Sequence, residues 1–136
     1  MNNLIKDQLI EDLNDLIGEK NVLTTEWRQL PYSKGWRYGK GKALAVAKPG
    51  TLFDIWKIIE LCVGLDIIVI MQAANTGLTG GSTPYGDDYD RPILIINTMR
   101  ISDIHVINDG KQIVGFAGST LIGLEKKLAP YDREPH

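Results

Sequence analysis

The chain has 136 residues, 43% of them apolar, and a formal net charge of -2, with a pI near 5.6. That is enough for the core of one domain and leaves no room for a second full one. The slightly acidic balance excludes the clustered basic face of a nucleic-acid-binding protein, and a single cysteine, Cys62, excludes a disulfide framework and a Cys-based zinc site.

No apolar run approaches the ~20 residues that span a bilayer. The N-terminus lacks the basic-then-apolar layout of a signal peptide, and the sequence reads as soluble, in a reduced, cytoplasmic setting. Over residues 3–17, Leu4, Ile5, Leu9, Leu13, Leu16 and Ile17 recur at helical spacing, with Asp7, Glu11, Asp12 and Asp15 on other faces. This predicts an amphipathic surface helix stopped by Gly18. The stretch 24–42, TTEWRQLPYSKGWRYGKGK, has no clear period and is rich in glycine, aromatics and cations. It reads as a long loop whose Lys34, Arg37, Lys40 and Lys42 are solvated, and it lacks the glycine-to-lysine spacing of a Walker-type phosphate loop.

From Ala43 the pattern sharpens. ALAVAKP is a short buried strand closed by Pro49, and GTLFDIWKIIELCVG a helix with Thr51 at its N-cap and Asp54 three residues on. Leu52, Ile55, Ile58, Ile59 and Cys62 form its apolar face, and Gly64 ends it. IIVIM (67–71) and PILIIN (92–97) are further strands. Strand, helix and strand with continuous apolar strands predict a right-handed parallel crossover buried on both faces. Beyond residue 100, Asn108-Asp109-Gly110 signals a hairpin over 104–117. A short helix capped near Ser119 or Thr120, with Leu121, Leu124 and Leu128 on one face, then runs to Pro130.

Between the second and third predicted strands lies AANTGLTGGSTPYGDDYD. A loop at the carboxyl end of a parallel strand is where open α/β sheets bind ligands. Gly77, Gly80 and Gly81 strip away side chains, so that consecutive backbone N–H groups can converge on one anion. Asn75, Thr76, Thr79, Ser82 and Thr83 add donors around the rim. A flexible surface loop would use glycines too, and composition alone leaves both readings open. The dinucleotide fingerprint does not fit, because STPYGDD opens no helix. Asp87, Asp88, Asp90 and Arg91 read as a salt-linked rim.

The run MQAANTGLTGGSTPYGDDYDRPILIINTMRISDIHVI strongly resembles the quinone-dependent, membrane-associated D-lactate dehydrogenases of bacteria, flavoproteins of the vanillyl-alcohol oxidase and p-cresol methylhydroxylase superfamily. The likeness extends from YSKGWRYGKGKALAVAKPG to the closing YDREPH, and AANTGLTGGSTP followed by DYDRP is its most specific part. The resemblance implies an α+β FAD-binding fold of the p-cresol methylhydroxylase type. A parallel α/β subdomain over 1–100 would carry the FAD pyrophosphate loop, and residues 101–136 would begin an antiparallel second subdomain. It also implies that Ala73, Ala74, Asn75, Thr76, Gly77, Gly81 and Ser82 hold the FAD. The partners it implies are D-lactate and a membrane quinone, at the cytoplasmic side of the inner membrane. The resembling enzymes are several times longer, with a second flavin segment, a substrate-cap domain and a membrane-contacting region, so an N-terminal fragment is expected.

No catalytic residue or metal ligand is assigned. The only histidines are His105, in a predicted strand, and His136, the last residue, and no carboxylate pair or histidine cluster has metal spacing. Two alternatives remain open: a related FAD-dependent dehydrogenase of another 2-hydroxy acid such as glycolate, and a non-catalytic anion-binding module reusing the fold. The predicted hairpin, as a lone two-stranded ribbon, is expected to self-associate through its edges or to be mobile.

Overall fold

The computed structural model describes residues 3–135; His136 lies outside them. Helix α1 (Asn3–Ile17) leads through a short 3-10 turn to β1 (Val22–Leu23). Helix α2 (Glu26–Ser33), β2 (Ala45–Ala47), α3 (Leu52–Gly64), β3 (Ile68–Gln72) and β4 (Ile93–Asn97) complete the first unit. A second unit holds the hairpin β5 (Ile104–Ile107) and β6 (Gln112–Gly115), helix α4 (Leu121–Leu128) and a final 3-10 turn.

The four-stranded sheet runs β1-β2-β4-β3. Both β2 and β3 pair with β4 in parallel, and β1 adds an antiparallel edge on β2. The parallel crossover is therefore present but wider than the sequence suggests: β3 is not bonded to β2, because β4 inserts between them. The strands explain this order. The side chains of β4 are buried at all five positions, whereas β3 is only partly covered and takes an edge.

Alternation along the strands splits the core between two faces. Ala45, Ala47, Leu94 and Ile96 pack with Leu9 and Leu13 of α1 and with Ile58 and Cys62 of α3. Leu23, Val46 and Ile95 face the other way, toward Tyr32 of α2 and Ile70. Side chains that alternate across a pleat can be buried on both sides only when helices cover both. Helix α3 is fixed at its start by a capping box. The Asp54 N–H donates to Thr51 Oγ1 at 3.0 Å, and Asp54 Oδ2 accepts from the N–H groups of Thr51 (2.9 Å) and Gly50 (3.0 Å). In the second unit Thr120 caps α4, accepting from Gly123 N–H at 3.1 Å.

Two expectations need correction. The apolar face of α3 is narrower than its sequence suggests, because Leu52 and Ile59 are exposed while Ile58 and Cys62 are buried and Ile55 is half-buried. The stretch 24–42 is not loop throughout, since Glu26–Ser33 is helical. Its apolar period is missing because α2 buries polar side chains. Gln29 is held by the carbonyls of Leu23 (3.1 Å) and Leu44 (3.3 Å), while Trp27 and Leu30 are exposed. Pro31 sits inside the helix, where its missing N–H argues against helix from sequence alone.

Candidate functional site

The parallel register Ile68↔Ile93 through Gln72↔Asn97 delivers the chain to the carboxyl edge of the sheet, where residues 73–83 form the glycine loop. The loop lies at the edge that its sequence predicts. Its residues from Ala73 to Thr79 are mostly exposed, whereas Thr83 and Pro84 at its far end are buried.

The three glycines of the loop divide by role. Gly80 has φ +76°, and a Cβ there would stand 3.1 Å from the Tyr38 carbonyl oxygen, so this glycine serves the packing of the loop on residues 38–39. Gly77 and Gly81 are different. A Cβ on Gly77 would meet nothing within 4 Å, and one on Gly81 only Thr79 Oγ1 at 4.0 Å. Their bare backbone faces open space.

From Ala74 to Ser82 no backbone N–H finds an acceptor among the described residues. Side chains, by contrast, are committed inward. Asn75, in the left-handed region at φ +56°, donates Nδ2 to the carbonyls of Lys34 (2.8 Å) and Pro31 (3.2 Å) and accepts at Oδ1 from Ser82 Oγ (2.9 Å). Thr83 Oγ1 leans on the Gly80 carbonyl at 3.4 Å. Thr76 and Thr79 remain exposed. The result is a stretch of backbone with N–H donors free of protein acceptors and open faces at Gly77 and Gly81, the kind of backbone from which an anion-binding nest is built.

The frame beneath it is what the sequence did not announce. Gln72 and Asn97, each 2% exposed, sit side by side at the ends of β3 and β4. They end apolar runs with an amide, and that change was the available signal. The stretch 34–42 forms a second layer against the loop: Gly41 bridges Gly86, and Gly86 N–H donates to the Lys40 carbonyl at 2.8 Å.

The acidic rim is salt-linked in part, since no ion pair of Asp88 is found among the described residues. Arg91 reaches Asp66 at 2.9 Å and Asp90 at 3.2 Å, and Lys42 lies 3.7 Å from Asp87. Hydrogen bonds to those two carboxylates raise the Arg91 pKa. His105 is exposed on β5, edge-on to Phe116 at 5.6 Å, on the hairpin rather than in the glycine loop. Cys62 is buried, and burial pushes its thiol up to about 11. Among the described residues no group of three or more acidic, histidine or cysteine side chains could hold a metal.

No family model matches the chain. It is 53% identical over 129 residues to the quinone-dependent D-lactate dehydrogenase of Haemophilus influenzae, covering 95% of this chain and 23% of that protein. With the enzyme of the same name from Escherichia coli it is 48% identical over 127 residues, 93% of this chain and 22% of the relative. The chain thus spans under a quarter of the length of these relatives. A mitochondrial D-2-hydroxyglutarate dehydrogenase of Arabidopsis thaliana is 32% identical over 75 residues, 54% of this chain and 13% of that protein.

Among solved structures, alkyldihydroxyacetonephosphate synthase superposes with a TM-score of 0.79 at 12% identity, over 91% of this chain and 25% of that one. p-Cresol methylhydroxylase superposes with a TM-score of 0.75 at 15% identity, over 94% and 25%. The fold is the α+β fold of the p-cresol methylhydroxylase type.

Proposed function

We propose that this chain is the FAD-binding part of a D-lactate:quinone oxidoreductase, and that its glycine loop cradles the FAD pyrophosphate. The observation that carries the reading is the run of backbone N–H groups from Ala74 to Ser82 without acceptors, beside two glycines whose faces are open. The names of the relatives at 48% and 53% identity point the same way.

When bound, FAD would supply the redox chemistry by which D-lactate loses two electrons and two protons to become pyruvate, with a quinone as the final acceptor. This chain's residues bind and orient. Ala73, Ala74, Asn75, Thr76, Gly77, Gly81 and Ser82 line the cradle. Ala74 to Gly77 and Gly81 to Ser82 contribute backbone N–H donors, and the Thr76 hydroxyl is free to join them. Asn75 acts through its backbone, since its side-chain amide already holds the carbonyls of Pro31 and Lys34. A diphosphate held by N–H groups needs no lysine, and charge-assisted hydrogen bonds of this kind are worth about 1.5–3 kcal/mol each.

The division of the chain is proposed as residues 1–100 for the pyrophosphate subdomain and 101–136 for the opening of a second. D-lactate and a membrane quinone are the proposed partners, at the cytoplasmic side of the inner membrane. No helix among the described residues is long and apolar enough to cross a membrane. The local identity to a D-2-hydroxyglutarate dehydrogenase supports a neighbouring reading, in which another 2-hydroxy acid is the substrate. The test is dye reduction by the longer protein, FAD-loaded, with D-lactate, glycolate and D-2-hydroxyglutarate. D-lactate should be turned over with the highest kcat/KM. Preference for another acid would move the assignment, and no flavin in that protein would end it.

A further inference from the structure

The loop is exposed and its N–H groups are unpaired, which by itself describes a mobile segment. Beneath it, however, both of its ends converge on one buried amide pair. Gln72 Nε2 donates to the carbonyl of Ser82 (2.8 Å) and to that of Tyr32 in α2 (2.7 Å). Its Oε1 accepts from Asn97 Nδ2 at 3.1 Å, and the same Nδ2 donates to the carbonyl of Ala73 at 2.9 Å. Asn97 Oδ1 accepts from the Met99 N–H at 3.2 Å.

Every hydrogen of the two side-chain amides is therefore used, and no buried side-chain nitrogen or oxygen among the described residues lacks a partner. The orientation of each amide is fixed, because flipping either one would set its oxygen against carbonyl oxygens. Such a fully satisfied network in a dry interior is rigid, and costly to break. Asn75 completes it from outside by tying the loop to the end of α2 and to Ser82.

We propose that Gln72 and Asn97, with Asn75, are positioning residues that hold the two ends of the loop at a fixed separation and keep its N–H groups converged before the ligand arrives. The Gln72 and Asn97 side chains and the Asn75 side-chain amide are turned to protein partners, and only the backbone N–H of Asn75 is left for a ligand. The identity of that ligand rests on the FAD reading above; the rigidity of the loop does not.

The test is ¹⁵N relaxation on the 136-residue chain, paired with FAD titration. In the native chain the amides 74–82 should show order parameters near the rigid value of about 0.85 despite their exposure. Gln72→Met keeps the length and removes the donors without adding charge. It should drop those amides below about 0.6 and weaken FAD binding at least tenfold, while hydrogen exchange of the Ile95 amide stays slow. Asn75→Gly tolerates the same backbone conformation and lies near the surface, so it folds even where Gln72→Met does not, and it should show the same loosening.

A loop already mobile in the native chain, or equally rigid in Asn75→Gly and Gln72→Met, overturns the proposal. So does loosening of the loop with unchanged FAD affinity. If the native chain gives no FAD-dependent shift at all, the flavin reading fails and the order parameters alone decide the positioning role.

Discussion

Adding a side chain at Gly80 and at Gly81 should produce opposite phenotypes. Gly80 has φ +76°, and its Cβ would stand 3.1 Å from the Tyr38 carbonyl oxygen and 3.3 Å from the Gly39 nitrogen. Gly80→Ala therefore adds the left-handed penalty of about 1–2 kcal/mol to a tight contact with backbone that cannot swing away. For a domain of this size that lowers Tm by roughly 3–8 °C. Gly81 and Gly77 have open faces, so Gly81→Val and Gly77→Ala should move Tm by less than about 2 °C, within the ±0.5 kcal/mol of ordinary surface substitutions. On the proposed function their side chains would stand where the diphosphate oxygens approach. Loss of one charge-assisted hydrogen bond, about 1.5–3 kcal/mol, weakens FAD or ADP binding roughly 10- to 100-fold. Thermal melts by circular dichroism and NMR titration of the chain separate the two effects. Gly81→Val with native affinity, or with a Tm loss as large as that of Gly80→Ala, would refute the assignment of the open face to the ligand.

Thr51→Ala removes the acceptor for Asp54 N–H and should cost about 1 kcal/mol, read as a lower urea midpoint with unchanged m-value. The Cys62 thiol is raised by burial from 9.0 to about 11, so the folded state keeps a proton that the unfolded chain gives up. Stability is full below about pH 9 and falls by roughly 2–3 kcal/mol as pH rises to about 11. Cys62→Ala should flatten that part of the pH profile, and a profile unchanged by the substitution would remove thiol burial as its cause. The two-stranded β5–β6 ribbon leaves Ile107, Ile113 and Val114 exposed. Sedimentation should show concentration-dependent self-association that Val114→Lys suppresses, and a strict monomer with slowly exchanging β6 amides would contradict it.

What was legible in the sequence was local and periodic. Thr51 and Asp54 three residues apart announce the capping box of α3, and Asn108-Asp109-Gly110 gives a hairpin turn in which all three residues have positive φ. The glycine loop was visible as a loop at a carboxyl strand end, but its composition left a flexible surface loop equally open, and only the resemblance to the flavoproteins gave it a ligand. Helix α2 was hidden, since its inner face carries Gln29 and Ser33 and its last turns contain Pro31. The sheet order was hidden too: nothing in IIVIM or PILIIN says that the later strand takes the centre. The burial of β4 at every position and the half-exposure of β3 emerge only once the helices are placed. Gln72 and Asn97 read as strand ends, and their joint role depends on a register, Gln72↔Asn97, that no single segment encodes. The roles of Gly80 and Gly81 likewise part company only in three dimensions, because one meets Tyr38 and the other does not.

The central claim is that backbone N–H groups of residues 74–82 take the FAD pyrophosphate. An ¹⁵N-labelled chain titrated with FAD, ADP and riboflavin tests it most directly. The purified 136-residue chain, which covers 22–23% of the length of the relatives above, should be colourless and without lactate-dependent dye reduction, since a cofactor is held firmly where most of its surface is buried. FAD and ADP should nonetheless shift the amides of Ala74–Gly77 and Gly81–Ser82 saturably and weakly, while riboflavin, which lacks the diphosphate, leaves them in place. An equal response to riboflavin, or shifts confined to the groove lined by Gly110, Ile113, Leu124 and Leu128, would contradict the account.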